Sequence, residues 1–160
     1  MADDAIVVRR GTAADLEPVR ALLRETWHDT YDALIGRDRV IELTGRWHAR
    51  AALAAQLAAP DTAFLVAERA GRLVGHACAT LKPPTLRLGR LYVRPGCQRQ
   101  GVGRRLLAAA IAAFPDAGAV VAAVEPANRR ARAFYAGQGF VARGETVEDG
   151  AVMLTLEKPI

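Results

Sequence analysis

A chain of 160 residues that is 51% hydrophobic can bury a substantial core and is too short for two ordinary domains, so one domain spanning residues 1–160 is expected. The longest apolar run of its strongest predicted helix, from Leu106 to Phe114, falls well short of the roughly 20 residues that a membrane-spanning helix needs. A net charge of +5, carried mostly by arginine, suits a polyanionic partner, either a nucleic acid or a highly phosphorylated small molecule.

In chain order, the acidic start Met1-Ala2-Asp3-Asp4 lacks the basic and apolar regions of a secretory signal, which predicts a cytoplasmic location. A short strand, Ile6 to Arg10, leads to Thr12 and Asp15, spaced as a capping box. The helix that follows carries Leu16, Val19, Leu22 and Leu23 on one face and is expected to end near Trp27. Residues 28–45 mix Tyr31, Leu34 and Ile35 with Asp29, Asp32, Arg37 and Asp38, and predict a partly helical loop. An alanine-rich helix over residues 46–59 is stopped by Pro60. Strands at residues 64–68 and 73–79 are joined through Ala70-Gly71 as a hairpin, and Pro83-Pro84 ends the second.

The strand after Pro84 changes phase partway along. Leu86 and Leu88 share one face, Leu91 and Val93 share the other, and the slip falls at Gly89-Arg90. One extra residue inverts the alternation of a strand, so a β-bulge near Gly89 is predicted. A helix from Val102 to Phe114 and a strand from Ala119 to Val124 complete a strand-helix-strand unit, which implies a parallel pair. If the two strands diverge past the bulge, the wedge between them suits a long amide-containing ligand. A second helix, residues 129–137, precedes two final strands, residues 140–146 and 152–157, separated by Glu148-Asp149-Gly150.

Between strand and helix lies Arg94-Pro95-Gly96-Cys97-Gln98-Arg99-Gln100-Gly101-Val102-Gly103-Arg104-Arg105. A helix start leaves backbone N–H groups unpaired at the positive end of the peptide dipoles, where an anion is stabilised. Gly101 and Gly103 let a phosphate approach the backbone, and Gln98, Arg99, Arg104 and Arg105 surround it with donors. The segment therefore predicts a phosphate cradle. Cys78 and Cys97 do not stand in metal-ligand spacing, and His28, His48 and His76 are scattered, so no metal site is expected.

These features together resemble the GCN5-related N-acetyltransferase (GNAT) family. Gln98, Gly101 and Gly103 meet its phosphate-turn pattern, Leu91-Tyr92-Val93-Arg94-Pro95 precedes it as the family's central strand does, and Val124-Glu125-Pro126-Ala127-Asn128 with Ala133-Phe134-Tyr135 and Gly139-Phe140 matches its second motif. The resemblance implies an α/β (α+β mixed) fold, a mostly antiparallel sheet with a parallel, splayed strand pair flanked by helices. It also implies acetyl-CoA as cosubstrate and transfer of the acetyl group to a primary amine of a small molecule, peptide or protein.

On the same resemblance, the cofactor is held by Leu91, Tyr92, Val93, Gln98, Arg99, Gln100, Gly101, Val102, Gly103, Arg104, Arg105 and Asn128. Tyr135 is the implied general acid, since a phenol of pKa about 10 stays protonated at neutral pH. Trp27, Tyr31 and Arg87 are candidate substrate-binding residues. The sequence departs from many relatives in having no carboxylate over Thr85 to Arg90, which leaves the general base unassigned. Glu125 is one candidate, His76 and His28 are others, and a water chain is a further option. A nonenzymatic acyl-CoA-binding module and a basic nucleic-acid binder are the alternatives, the latter opposed by the lack of an aromatic platform or recognition helix. Pairing of the final strands would allow a homodimer.

Overall fold

The computed structural model describes residues 5–160, so the acidic segment 1–4 lies outside the described residues. The strands are β1 (Ile6–Arg10), β2 (Thr62–Arg69), β3 (Arg72–Lys82), β4 (Thr85–Val93), β5 (Ala119–Val124), β6 (Val141–Glu148) and β7 (Ala151–Pro159). The helices are α1 (Leu16–Ile35), α2 (Arg37–Trp47), α3 (Arg50–Ala58), α4 (Val102–Ala112) and α5 (Arg129–Gly137). The strands form one seven-stranded sheet in the order β1-β2-β3-β4-β5-β7-β6. Pairing is antiparallel except between β4 and β5. No helix among the described residues is long and apolar enough to cross a membrane.

The centre of the sheet, at β2 and β3, is buried on both faces, which explains the unbroken apolar run Ala63-Phe64-Leu65-Val66-Ala67 in β2. Ala63, Leu65 and Ala67 pack toward α4 with Leu106 and Leu107, while Phe64 and Val66 pack toward α1 and α3 with Leu22 and Leu53. The capping box forms at the head of a 3-10 turn (Ala13–Asp15) that runs into α1: the Asp15 carboxylate accepts from the Thr12 backbone N–H at 2.8 Å. It also takes both ends of the Arg9 guanidinium, at 2.8 and 3.0 Å, which pins β1 to the helix start.

Two expectations for the first half are corrected. The first helix continues past Trp27 to Ile35, because Trp27 and Tyr31 extend the buried stripe of Val19 and Leu23 and meet Val40 and Leu43 of α2. Residues 37–47 are accordingly helical rather than a partly helical loop. The alanine-rich helix expected over 46–59 is instead two helices broken at His48-Ala49, where Ala49 takes an extended backbone and the His48 carbonyl accepts from Arg20 Nε at 3.2 Å.

The bulge at Gly89 is present. Cys78 pairs with Arg90 and Ala79 with Leu88, which leaves Gly89 as the extra residue. The parallel ladder to β5 runs from Thr85 opposite Ala119 to Leu88 opposite Ala122 and stops there.

Helix α4 lies close over β3 because Gly75 has no side chain. A Cβ there would stand 2.9 Å from both Leu106 Cδ1 and Val102 Cγ1 and 3.2 Å from the Tyr92 carbonyl oxygen. Gly75→Ala is therefore expected to lower stability by about 1–3 kcal/mol through overpacking, read as a reduced urea midpoint with an unchanged m-value. An unchanged midpoint would mean that α4 can lift off the sheet at no cost.

Candidate active site

Past Leu88 the edge of β4 that faces β5 has no ladder partner, and a cleft of about 870 Å³ opens between the two strands. Helix α4 follows β4 and helix α5 follows β5, so both helix starts are delivered to this cleft. Leu91, Tyr92 and Val93 line it from β4, and Ala123 and Val124 from β5.

At one end lies the glycine turn. Gly101 is the N-cap of α4 with φ +81°, a left-handed conformation in which a Cβ is strained, and Arg99 before it has φ +64°. Gln98 is fixed by two contacts, donating to the Val93 carbonyl at 3.3 Å and accepting from Arg130. A Cβ on Gly103 would stand 3.2 Å from the Phe134 ring, so this glycine allows α4 and α5 to meet behind the turn. Gln98, Arg99, Gly101, Val102, Gly103 and Arg104 all line the cleft. An unpaired strand edge leading into a concave helix start with guanidinium groups fits a pantetheine arm and a pyrophosphate, and hence coenzyme A.

Two residues expected in the cradle are placed elsewhere. Arg105 points to the other side of α4 and donates to the Ile6 carbonyl at 2.6 Å. Neighbouring helix positions differ by about 100°, so Arg104 and Arg105 face different ways. Gln100 is exposed outside the cleft lining and reaches only the Gly96 carbonyl, at 3.5 Å.

Part of the cleft wall is made of phenols, those of Tyr31, Tyr92 and Tyr135. Tyr135 on α5 is 7% exposed and sits edge-on to Phe134 and Phe140. Burial raises its pKa above the ordinary 10, and the neighbouring Tyr31 adds to the rise. Tyr92 is raised as well, chiefly by burial. Asn128 does two things: its Oδ1 caps α5 by accepting from the Ala131 N–H at 3.1 Å, and its Nδ2 donates to the Tyr31 hydroxyl at 3.1 Å. It thus joins the start of α5 to the C-terminal part of α1. Thr26 and Thr30 of α1 and Arg129 and Arg130 of α5 also line the cleft and were missed from the sequence. Thr30 lies on the part of α1 whose helical path the sequence pattern obscured, while Thr26 lies within the expected helix.

The profile of the acetyltransferase (GNAT) family matches residues 19–140. The chain belongs to the GNAT acetyltransferase family. No curated protein matches it by sequence. Among solved structures, the fold is similar to that of the PaiA N-acetyltransferase from Thermoplasma acidophilum in complex with coenzyme A, at 23% identity, a TM-score of 0.88 and coverage of 98% of this chain and 99% of that one. It is similar also to the ribosomal-protein-S18-alanine N-acetyltransferase from Escherichia coli, at 17% identity, TM-score 0.74 and coverage of 98% and 94%. A third similar structure is the ribosomal-protein-alanine N-acetyltransferase from Brucella melitensis, at 25% identity, TM-score 0.67 and coverage of 96% and 99%.

Within this GNAT fold the remaining candidates separate clearly. Trp27 is 7% exposed and stacks behind Tyr31, with ring centroids 4.5 Å apart, so it supports the cleft wall without lining it. Arg87 lies before the bulge, outside the cleft, and donates to Glu148 at 2.9 Å. His28 accompanies Asp32 at 2.7 Å outside the cleft. Glu125 accepts from the Ala127 N–H at 3.2 Å through Oε1, while Oε2 is buried with no partner among the described residues. Its charge opposes ionisation of Tyr31.

His76 is fully buried, and both ring nitrogens are used. Nδ1 donates to the Leu65 carbonyl at 2.8 Å and Nε2 accepts from Arg90 Nε at 3.1 Å, which leaves no lone pair for a substrate proton. Burial, reinforced by the Arg90 charge, depresses the pKa of His76 to about 3, and the same causes depress that of His48 to about 3. Both rings are neutral in the folded state and take up protons on unfolding once the pH falls below 6.5. Stability is therefore expected to be full above pH 6.5 and to decline toward pH 3, by up to about 1.4 kcal/mol per pH unit for each ring. Urea titrations at pH 7.5 and pH 5 with an NMR titration of the imidazoles check this. A His76 resonance that titrates near pH 6.5 in the folded protein would refute it.

Proposed function

We propose that this GNAT protein is an acetyl-CoA-dependent N-acetyltransferase that acts on a primary amine through a ternary complex. The observation that carries the reading is the cleft itself: diverging strands with a free backbone edge, and a basic glycine turn and Tyr135 in one lining. When bound, acetyl-CoA supplies a thioester whose carbonyl carbon a neutral amine can attack, with cleavage of the C–S bond. Gln98, Arg99, Gly101, Gly103 and Arg104 would hold the pyrophosphate, and the backbone of Leu91 and Val93 the pantetheine arm. Asn128 is committed to the α5 cap and to Tyr31, so its contribution to binding is to fix the cleft wall between those two elements.

Tyr135 keeps its proton at all ordinary pH values, because burial disfavours the phenolate. It can therefore donate that proton to the departing sulfur without prior activation. The amine must lose a proton during the transfer, and Glu125, whose Oε2 has no partner among the described residues, is the carboxylate whose charge is felt at Tyr31. The acceptor is a small molecule, a peptide or a protein; the similarity to two ribosomal-protein acetyltransferases makes a protein N-terminus one member of that set. We place the activity in the cytoplasm and in a single domain of 160 residues.

The deciding measurement is calorimetric titration with acetyl-CoA and CoA, followed by thiol release against a panel of amines, peptides and ribosomal-protein N-termini. Binding with acceptor-dependent thiol release is expected. Binding without release across the panel would favour a nonenzymatic acyl-CoA-binding module, and RNA binding with indifference to CoA would favour a nucleic-acid binder. Tyr135→Phe is expected to lower kcat by about 10²-fold and to leave the KM for acetyl-CoA within about threefold. Equal losses in kcat and in CoA affinity would remove Tyr135 from the acid role.

A further inference from the structure

We infer that a groove between α1 and α2 is a second ligand site, separate from the acetyl-CoA cleft, that takes a small multiply charged oxyanion such as a polycarboxylate or a phosphate. Arg20, Arg24 and His28 stand four residues apart on α1 and form one stripe of that helix. Arg37, Ile41, Thr44, Gly45 and His48 form the facing stripe of α2 and its end. Together these residues line a cavity of about 330 Å³, a volume that admits a small anion and a few waters. Thr26 and Thr30, which line the acetyl-CoA cleft, are on a different side of α1.

The charges of the groove are not balanced from within. Arg20 shares Glu17 with Arg50, at 3.1 Å in each pair. Asp32 serves both His28, at 2.7 Å, and Arg37, at 3.7 Å. Arg24 makes no hydrogen bond or ion pair among the described residues. Guanidinium groups converging on one concave surface match the planar oxygens of a carboxylate or phosphate, which they bind in pairs.

Two further features belong to a binding site rather than to a solvated helix face. His48 lines the groove and is 6% exposed, and its Nδ1 lies beneath that surface with no partner among the described residues. Gly45 sits inside α2, where glycine is among the least favourable residues, and a Cβ there would meet nothing within 4 Å. The missing side chain is thus explained by neither packing nor backbone conformation. It keeps the groove open.

The test is calorimetric titration of the full chain with inorganic phosphate and with citrate at low ionic strength, with and without saturating CoA. Saturable one-to-one binding that persists with CoA present is expected. Arg24→Gln should weaken it by about tenfold or more. Gly45→Leu, which favours the helix and fills the groove, should weaken it comparably, and neither change should move CoA affinity more than about twofold. Preference for citrate assigns the site to carboxylates, and preference for phosphate assigns it to phosphate. Heat that vanishes when CoA is added belongs to the glycine turn and overturns the proposal. Absence of binding by both probes, or binding unchanged in both variants, overturns it equally.

Discussion

The extra residue at Gly89 governs what lies on either side of it. Up to Leu88, β4 is a ladder strand bonded to β3 and β5, and its leucines enter the core under α4. One inserted residue ends the pairing with β5 and inverts the facing of all that follows. The first consequence is the cleft, whose walls are strands that no longer touch. The second is that Leu91 and Val93 remain packed on the α4 side while Arg90 and Tyr92 turn toward α1 and α3. Strict alternation would have placed Arg90 on the side of Leu86 and Leu88, among apolar side chains under α4.

Turning Arg90 inward places a guanidinium, 8% exposed, in the core with no carboxylate partner among the described residues. Its hydrogen bonds go to the neutral ring of His76 and to the Gln56 side chain on α3. Burial of a charge is tolerated only when its donors are satisfied, and here the supporting groups come from three elements: β3, α3 and, through Leu65, β2. That positive charge opposes protonation of His76 and His48 and offsets part of the rise that burial gives the Cys78 thiol. The bulge that opens the cleft on one face therefore sets the ionisation of the core on the other.

The second half of the chain was legible in the sequence for physical reasons that do not apply to the first half. A phase change in alternation has one economical cause, and a glycine-rich turn between a strand and a helix has few others. Both appear where the residues of β4 and Gln98 to Gly103 predicted them. In α1 the signal failed because Asp29, Asp32 and His28 interrupt the composition without interrupting the spacing of Leu23, Trp27 and Tyr31. The break at His48-Ala49 is silent, since neither glycine nor proline marks it and Ala49 is itself a strong helix former. Arg105 has no local signature of its placement: one helical step turns it about 100° from Arg104, and the β1 carbonyl that it reaches is 99 residues away. The pairing of Asn128 with Tyr31, 97 residues apart, is a tertiary fact with no local signature.

That pairing bears on the direction in which protons can move in the proposed reaction. Tyr31, Tyr92 and Tyr135 are held close enough that ionisation of one raises the pKa of another, on top of the rise that burial gives to all three. A cluster of this kind retains its protons at ordinary pH, so each ring is present as the phenol, the form that an acid role requires. It cannot accept a proton from an ammonium group. In the proposed reaction the acid is the Tyr135 phenol within α5, and the candidate base is Glu125 just after β5, a carboxylate with one oxygen unpartnered among the described residues. Asn128 lies between them and is fixed to both α5 and α1, so the separation of the two groups is set by a helix cap rather than by a flexible loop.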